Sequence, residues 1–438
     1  MRSNQYRMRE SGPKNMTGGL AQIFRWTGSL SVIIVLHVVC LGLVSRPASA
    51  DEAIQLTDNF GLGARAMGMG GSAIAVSEDI SALYWNPAGL AQVRRIEFSG
   101  SLSHQRYTSK TTYFQNASKD RESNTRLNAI GMVFPVPTYR GSLVFALGAG
   151  RVKNFDAFFI QRGYSSQDEW WEEGQETQSG GLFSWSLGGA IDVSPTLSLG
   201  ASVNLWDGDY NYDWDAFFAD TRDMYVNPPS DFDTTYIHDT QEADFDGLNL
   251  KLGGLLRLSR FVKAGLTIAS PVSYDISGEV VERTVDVYDD GSVDQYTDSF
   301  YYENEISTPW EFGFGMAWSV PTLLLAADLR YADWSQMKFN DQPLNDYDET
   351  LSLSIGGEYI LPTAGVKVRA GFSSEPLAFV ARKIIEDRKY YTLGAGFLVG
   401  QVMTLDLAWV HGTWKTSQPF LSQKDVVDRI FLSTSYRF

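Results

Sequence analysis

Residues 196–206 read TLSLGASVNLW, and this stretch decides the fold because its apolar and small polar residues alternate without a break. Successive side chains of a β-strand point to opposite faces, so the leucines and the valine would share one face and the polar residues the other. Residues 351–359 (LSLSIGGEY) show a similar alternation. One apolar and one polar face over about ten residues is typical of a strand that lies between membrane lipid and a polar lumen.

The same period-two pattern recurs along the chain. With the two stretches above, the alternating segments number fourteen, and the other members are 96–102, 130–136, 143–147, 183–193, 248–258, 262–268, 312–318, 323–331, 366–372, 391–399, 405–411 and 430–438. Short connections at 194–196, 259–260, 319–322, 361–365 and 400–401 alternate with longer ones, of which 151–181, 207–246 and 273–307 are the largest. An even strand count, short periplasmic turns and long outer loops are typical of bacterial membrane barrels. The sequence therefore predicts an all-β protein, a transmembrane antiparallel β-barrel of about fourteen strands.

A soluble β-sandwich is the alternative, since antiparallel sheets often have one wet face. Against it, the positions expected to face the lumen carry unpaired-looking charges that a sandwich core would not accept. These charges are Lys251, Arg257, Lys263, Asp328, Arg330, Glu358, Lys367, Arg369 and Asp406. The last alternating strand ends in Phe438, and a terminal aromatic resembles the signal read by the bacterial barrel-assembly machinery, which is an expected partner.

The first fifty residues are expected to be a secretory signal peptide. A basic region precedes an apolar core at residues 30–44, and Ala48-Ser49-Ala50 supplies small residues before the cleavage point. A retained anchor is the alternative, although the apolar run is shorter than the roughly 20 residues of a comfortable membrane span. Cys40 is the only cysteine and would leave with the signal, and the remaining histidines are far apart. No metal or other cofactor is therefore expected.

Charge and hydropathy narrow the location and the partners. The formal net charge is −16, and removal of the basic signal makes it more negative, which argues against a nucleic-acid partner. No apolar run of 18 residues follows the signal, while aromatic residues make up 13% of the chain. This combination fits membrane-spanning strands. The expected location is the outer membrane, with membrane lipid and lipopolysaccharide around the barrel.

Residues 51–93 do not alternate. Glycines crowd residues 61–71, which favours tight turns, and a short helix is expected from Glu78 to Tyr84, before the turn at Pro87. The stretches GARAMGMGG (63–71) and DISALYWNPAGL (79–90) resemble the N-terminal signature of the FadL-type long-chain fatty-acid transporter superfamily of outer-membrane barrels. They resemble the related PorV-like barrels of that superfamily equally well.

The resemblance implies a fourteen-strand barrel, residues 94–438, with residues 51–93 folded into its lumen as a hatch. The hatch would include Arg65, Gly70, Gly71, Asn86, Pro87, Ala88 and Gly89. The resemblance also implies that ligands leave sideways near a kink in the third strand. Gly148 and Gly150 would be the weak point of that strand.

Two aromatic-rich outer loops are candidates for the first capture of a hydrophobic ligand, since an exposed apolar cluster usually marks a binding surface. The candidate residues are Phe155, Phe158, Phe159, Trp170, Trp171, Trp214, Phe217 and Phe218. Alternatively, these side chains fold inward as small loop cores or dip into lipopolysaccharide. Residues 286–298 (DVYDDGSVDQYTD) lack two ligands that an EF-hand requires, so a solvated acidic loop is expected there, with loose calcium binding that bridges lipopolysaccharide as the alternative.

The sequence thus predicts passive transport of hydrophobic small molecules, such as long-chain fatty acids, with a shift of the hatch near residues 86–89 as the gate. The alternative is a PorV-like barrel that binds secreted proteins and hands them on within a secretion system. A general porin is disfavoured by the hatch sequence. An enzyme is not expected, because no nucleophile motif stands beside His104 or His411.

Overall fold

A computed structural model describes residues 56–57, 59–226, 231–362, 365–379 and 383–438. The expected signal peptide, residues 1–50, and the start of the expected hatch, residues 51–55, lie outside the described residues. Within the described ranges, no helix is long and apolar enough to cross a membrane. From Glu97 onward the chain consists mostly of antiparallel β-strands that belong to one sheet.

The described strands are numbered here in chain order. They are β1 (Glu97–Tyr113), β2 (Asn116–Val136), β3 (Leu143–Arg151), β4 (Ala157–Tyr164), β5 (Trp171–Asp192), β6 (Leu197–Ala219), β7 (Phe232–Arg257), β8 (Val262–Ala269), β9 (Ser273–Tyr288), β10 (Val293–Ser307), β11 (Glu311–Val320), β12 (Leu323–Asp333), β13 (Lys338–Phe339), β14 (Gln342–Pro343), β15 (Glu349–Ile360), β16 (Lys367–Glu375), β17 (Lys383–Val399), β18 (Met403–Gln418) and β19 (Leu421–Arg437).

Fourteen of these strands form a closed barrel, and β4, β9, β10, β13 and β14 lie outside that ring. Strand β1 pairs with β19 from Glu97–Arg437 to Tyr113–Leu421, which closes the barrel. Each alternating stretch of the sequence falls, within one residue, in one of the fourteen barrel strands. The prediction of an all-β, fourteen-strand barrel is therefore confirmed, and the short connections lie at one common end, as predicted.

Large apolar side chains cover the outside of the barrel. On β7, Leu248, Leu250 and Leu252 are each more than half exposed, and exposed apolar side chains recur on every barrel strand. A soluble surface does not carry an apolar belt of this extent, so the belt is the part that faces lipid.

The strands continue far above the apolar belt at the end that carries the long connections. Strands β6 and β7 pair up to Ala219 and Thr234, and β9 and β10 form a hairpin that is paired to the outer part of β7. The prediction of long loops at 207–246 and 273–307 is therefore wrong. Their tyrosines and β-branched residues favour strands, and their acidic residues are acceptable because this part of the sheet faces water.

Residues 59–93, here called the luminal segment, lie inside the barrel and contact its inner face. The segment contains α1 (Ala64–Gly68), α2 (Ala82–Trp85) and a 3₁₀ helix at Pro87–Gln92. The helix expected from residue 78 begins later, because the Asp79 carboxylate accepts a hydrogen bond from the Ser81 amide and holds a turn there. It ends ahead of Pro87, as the sequence indicated.

Candidate functional site

The luminal segment fits against glycines of the barrel wall. A Cβ atom at Gly253 would lie 2.1 Å from Asn86 Oδ1, and one at Gly200 would lie 2.4 Å from the Ala88 nitrogen. Both distances are shorter than any real Cβ contact. An added Cβ atom would also lie within 3.0 Å of the segment at eight further wall glycines, namely Gly131, Gly150, Gly188, Gly265, Gly313, Gly315, Gly356 and Gly371. At these positions a side chain would fit only if the segment moved or, where the contact is a side-chain end, if that side chain rotated.

Asn86 ties the segment to β7. Its side chain is fully buried, its Nδ2 donates to the carbonyls of Ile74 (2.8 Å) and Gly254 (3.1 Å), and its Oδ1 accepts from the Ala88 amide (3.1 Å). Pro87, Ala88 and Gly89 are buried beside it. Since every one of these contacts is made in a tightly filled space, residues 86–89 are a fixed part of the segment.

The other residues expected in the hatch contact the opposite wall. Arg65 forms ion pairs with Glu78 (2.8 Å) in the segment and with Glu358 (3.3 Å) on β15. Gly70 and Gly71 have φ values of +67° and +75°, which side chains rarely tolerate. A Cβ at Gly70 would also meet the Phe372 nitrogen of β16 at 2.7 Å.

The luminal charges that looked unpaired in the sequence have partners in the structure. Arg369 contacts both Glu358 and Asp406 at 2.7 Å, Arg330 contacts Glu375 at 3.1 Å, and the other residues of this set bond to neighbouring strands or to the segment. The partners are distant in sequence, so the alternation pattern alone does not show them.

Two residues of the barrel wall hold the luminal segment in place, and the sequence analysis did not identify either of them in this role. Asp328 Oδ2 accepts hydrogen bonds from the amides of Ala73 (2.6 Å) and Ile74 (2.8 Å), although the sequence marked Asp328 only as a luminal charge. Asn128 accepts from the Gly63 amide and donates to the Gly61 carbonyl, both at 3.1 Å. Asn128 lies where the register between β1 and β2 shifts, and it and Ala129 are both buried, so the alternation is interrupted there and the alternating stretch recognised in the sequence begins only at residue 130.

An open cavity separates one side of the luminal segment from the wall. Apolar side chains from the segment (Leu62, Ile80 and Leu83) and from the wall line most of it, and its charged members are Lys153, Lys251 and Glu311. The Lys251 ammonium group donates to the Tyr84 carbonyl, and Lys153 donates to Asn59 Oδ1 at 3.2 Å. The cavity thus combines an apolar body with two ammonium groups and one carboxylate.

Strand β3 is regular at the two glycines where a kink was expected. Gly148 and Gly150 pair with β2 and β5 without a register shift, and β3 ends at Arg151, directly after them, so the weak point expected at these glycines stays a prediction. The glycines also lie against the luminal segment, because a Cβ at Gly150 would lie 2.2 Å from Leu62 and one at Gly148 would lie 3.2 Å from Ile80. They make room for the luminal segment.

The chain leaves the wall just after these glycines. Residues 151–156 are all buried and bend inward, and the pairing of β2 with β3 ends at Ala129–Gly150. Strand β2 continues outward to Asn116, paired with β1, but without β3 on its other side. This discontinuity in the wall adjoins the cavity, which Ala129, Gly150 and Val152 line.

The aromatic residues proposed for ligand capture do not form an open surface. Phe155, Phe158, Trp170, Trp214 and Phe218 are all buried, the first two in separate clusters on the luminal side and the last three in one cluster with Phe232. Phe159 and Trp171 are half-buried, and Phe217 is exposed. The alternative of inward-folded cores therefore describes most of them, because alternate residues of β4, β5 and β6 turn toward the lumen.

One histidine of the outer sheet lies next to two aspartates, a grouping that spacing along the sequence does not show. Within the described residues, His238 lies beside Asp213 and Asp215 on the outward face of β6 and β7, and their ligand-type atoms lie within 4.8 Å of one another. His238 Nδ1 is 2.9 Å from Asp215 Oδ1, and the Tyr236 hydroxyl donates to the same carboxylate. The group is satisfied by its own hydrogen bonds. Residues 286–298, the rejected calcium loop, form the tip of the β9–β10 hairpin.

A closed β-barrel with a lipid-facing belt and a lumen occupied by its own N-terminal segment defines a plugged integral barrel of the outer membrane. The chain belongs to the family described as outer membrane protein transport protein (OMPP1/FadL/TodX), which matches residues 42–431. The resemblance to the FadL-type superfamily is thus confirmed, as is the outer-membrane location. The family is one of transport proteins, in agreement with the expectation that the chain is not an enzyme.

Solved structures share the fold at low sequence identity. The toluene transporter TodX of P. putida is 17% identical, with a TM-score of 0.64 over 87% of this chain and 99% of that one. A FadL homologue of Pseudomonas aeruginosa is 14% identical, with a TM-score of 0.60 over 87% and 99%. The Ralstonia pickettii toluene transporter TbuX is 15% identical, with a TM-score of 0.56 over 86% and 98%. No curated protein matches the sequence.

Proposed function

We propose that this protein transports hydrophobic small molecules passively across the outer membrane, with the luminal segment as its hatch. The observation that carries the proposal is the largely apolar cavity between the segment and the wall, which adjoins the end of the β2–β3 pairing. Solved structures that share the fold are described as toluene transporters and a monoaromatic hydrocarbon channel, which supports a hydrophobic cargo.

The charges of the cavity favour a cargo with one acidic group and an apolar body, such as a long-chain fatty acid. Lys251 and Lys153 stand over the rings of Tyr84 and Trp334, at 5.1 and 5.8 Å, so each ammonium group borders an apolar surface. A carboxylate that enters would be attracted by both, whereas Glu311 supplies one opposing charge. A pure hydrocarbon would gain only from the apolar lining.

The cargo would leave sideways into the membrane rather than through the periplasmic end. Residues 86–89 are locked against β6 and β7, so a shift at that place would break several buried hydrogen bonds. Beside residues 151–156 no backbone pairing between β2 and β3 has to break. The contacts that span the gap there are made by side chains, namely the ion pair of Arg126 with Asp156 (2.8 Å) and the hydrogen bond from Gln105 to the Asp156 carbonyl (3.1 Å). We therefore place the exit at this discontinuity.

Uptake by whole cells tests the function. Cells with and without the gene are given radiolabelled oleate or toluene, and faster uptake of either compound with the gene supports the proposal, while equal uptake of both refutes it. Lys251→Met should slow the uptake of oleate at least about tenfold and leave the uptake of toluene unchanged. A tenfold change corresponds to about 1.4 kcal/mol, and a charge–charge contact at about 4 Å is worth roughly 1 kcal/mol in bulk water and roughly 4 kcal/mol near a protein surface. The matched control is Lys263→Met, because Lys263 bonds to Gln92 and does not line the cavity.

The remaining partners stay predictions. A PorV-like role in protein secretion would be supported if secretion components or cargo co-purified with the intact barrel from native membranes. Contacts with membrane lipid and lipopolysaccharide, and recognition of Phe438 by the barrel-assembly machinery, are expected from the apolar belt and the last strand. Deletion of Phe438 should lower the amount of assembled barrel, measured by heat-modified migration in gels.

A further inference from the structure

The β9–β10 hairpin stands above the apolar belt and has one open edge. Strand β9 pairs with the outer part of β7, and β10 pairs with β9. On its other side, β10 is paired only at its base, where Ile306 and Ser307 face β13. Among the described residues, no strand pairs with the remaining stretch, residues 293–303. At about 3.4 Å per residue, this open edge is roughly 35 Å long.

The register shows which backbone groups face the open side. In an antiparallel pair, successive residues alternately direct their N–H and C=O groups toward and away from the partner strand. Both backbone groups of Glu305 bond to Asn340, which lies on the open side. The odd-numbered residues from 293 to 303 therefore turn their amides and carbonyls to that side as well. The Ser299 amide differs from the others because it donates to the Asp298 carboxylate.

The charges along the edge are all negative. Natural edge strands are commonly protected by charged side chains, above all lysine, by proline or by a bulge. Strand β10 (VDQYTDSFYYENEIS) has acidic side chains but no lysine or proline, and its pairing with β9 shows no register shift, so what protects it is negative charge, which does not repel a basic strand. Tyr296, Phe300 and Tyr301 are 53%, 48% and 78% exposed, so apolar surface is available on both faces of the strand. This geometry suits an added strand.

Charge decides which strand would fit. Residues 273–307 contain ten acidic residues and one basic residue, Arg283. A second copy of β10 would bring like charges opposite one another, which is unfavourable. The phosphate groups of lipopolysaccharide would be repelled in the same way. An extended segment rich in lysine or arginine would be attracted to Asp294, Asp298 and Glu303 along the edge.

We propose that residues 293–303 of β10 form a docking edge at the cell surface, which binds an extended basic polypeptide segment by strand addition. Backbone hydrogen bonds along the odd-numbered residues would give the affinity, and the acidic side chains would select a basic partner. This inference does not depend on the transport function, because the edge is separate from the luminal cavity.

The test uses the full-length protein in lipid nanodiscs and a synthetic eleven-residue peptide in which lysine alternates with valine or tyrosine. Affinity is measured by fluorescence anisotropy, and hydrogen exchange locates the bound peptide. Residues 293–303 should become protected, and a peptide N-methylated at every second residue should bind at least about tenfold more weakly, which corresponds to about 1.4 kcal/mol. Thr297→Pro, which removes an amide on the open side, should weaken binding similarly, whereas Thr297→Val should not.

Other outcomes overturn the proposal. Equal affinity of the N-methylated peptide would mean that charge alone holds the peptide, and absence of binding would remove the partner class. A stable dimer in analytical ultracentrifugation, with residues 293–303 protected, would assign the edge to a second copy. Protection of the edge by lipopolysaccharide without peptide would assign it to the membrane. Because the methylated peptide leaves the protein unchanged, the test does not depend on correct folding of the proline variant.

Discussion

Gly253 and Gly254 are neighbours on β7, and they differ in what an added side chain would meet. A Cβ at Gly253 would lie 2.1 Å from Asn86 Oδ1 and 2.9 Å from the Ala88 nitrogen. At Gly254 the nearest atom is Leu199 Cδ2, at an ordinary contact distance of 3.9 Å. We therefore expect Gly253→Ala to push the luminal segment away from the wall, and Gly254→Ala to leave it in place.

The size of the effect follows from what has to move. The wall is a hydrogen-bonded sheet, so the segment is the part that gives way. Overpacking of a filled site costs about 1–3 kcal/mol. A displaced Asn86 also loses hydrogen bonds that contribute roughly 1 kcal/mol each. A total near 3 kcal/mol raises the population of the released segment about 150-fold, since each 1.4 kcal/mol is a factor of ten.

Hydrogen exchange measured by mass spectrometry on residues 74–92, in nanodiscs, reports this release. The Gly253→Ala protein should exchange in this stretch up to about 150-fold faster than the wild type when the opening equilibrium controls the rate. Gly254→Ala should exchange at the wild-type rate. Heat-modified migration in gels shows that both barrels are folded. If both variants exchanged alike, or if Gly253→Ala matched the wild type, the tight fit described above would be refuted.

Three further predictions address the segment, the outer sheet and the aromatic core. The Ala64 amide of the luminal segment donates to Ser433 Oγ of β19 at 2.8 Å, so a disulfide between Ala64→Cys and Ser433→Cys would fix the segment to the wall. If the exit is lateral, uptake should remain intact in this variant. Uptake that depends on added reductant would contradict this. Burial and the facing Glu282 raise the pKa of Asp239, above the membrane belt, to about 7. The outer sheet should therefore gain stability as the pH falls through 7 toward the unfolded value near 4, and Asp239→Asn should flatten this dependence in exchange protection factors; an unchanged slope would refute the assignment. Trp170→Ala should destabilise the outer sheet by about 3–5 kcal/mol and so make it more sensitive to limited proteolysis. Cleavage of the variant at the wild-type rate would show that the cluster around Trp170 is not a core.

The barrel could be predicted from the sequence because the membrane imposes a simple rule on it. Each crossing strand needs an apolar outer face and tolerates polar residues inside, so its alternation is visible in the sequence. Above the membrane this rule no longer applies, since water faces the outside of the sheet. Around Asp244 of β7 and Tyr274 of β9 the side chains still alternate, but the acidic residues are exposed and the aromatic ones are buried, which is the reverse of the arrangement in the membrane. The outer strands were therefore predicted as loops.

The residues of the site fall into two groups: those that a local motif reveals and those whose partners only the fold brings close. The motif around Asn86 could be found because it is local, and its position in the lumen followed from the family resemblance. Asn128 and Asp328 anchor the segment from the wall, but their partners lie 65 and 255 residues away in the chain. Burial of Trp170 likewise depends on Phe218 and Phe232, which only the folded sheet brings together. Single-sequence patterns do not contain such contacts.

The distribution of glycine also bears on where a passage can open. An added Cβ would meet backbone or Cβ atoms of the segment at one glycine on each of six strands, namely Gly200 on β6, Gly253 on β7, Gly265 on β8, Gly315 on β11, Gly356 on β15 and Gly371 on β16. Such contacts cannot relax by side-chain rotation, so an axial opening requires the whole segment to move as one body. On β3, by contrast, Gly150 meets only the side-chain end of Leu62, which can rotate, and the inward bend of residues 151–156 begins there. Gly131 on β2 and Gly188 on β5 likewise meet only side-chain atoms of the segment, those of Ile80 and Leu83. The side of the lumen formed by β2, β3 and β5, which borders the cavity, therefore has the contacts that side-chain rotation can relax, and this supports the proposed lateral exit.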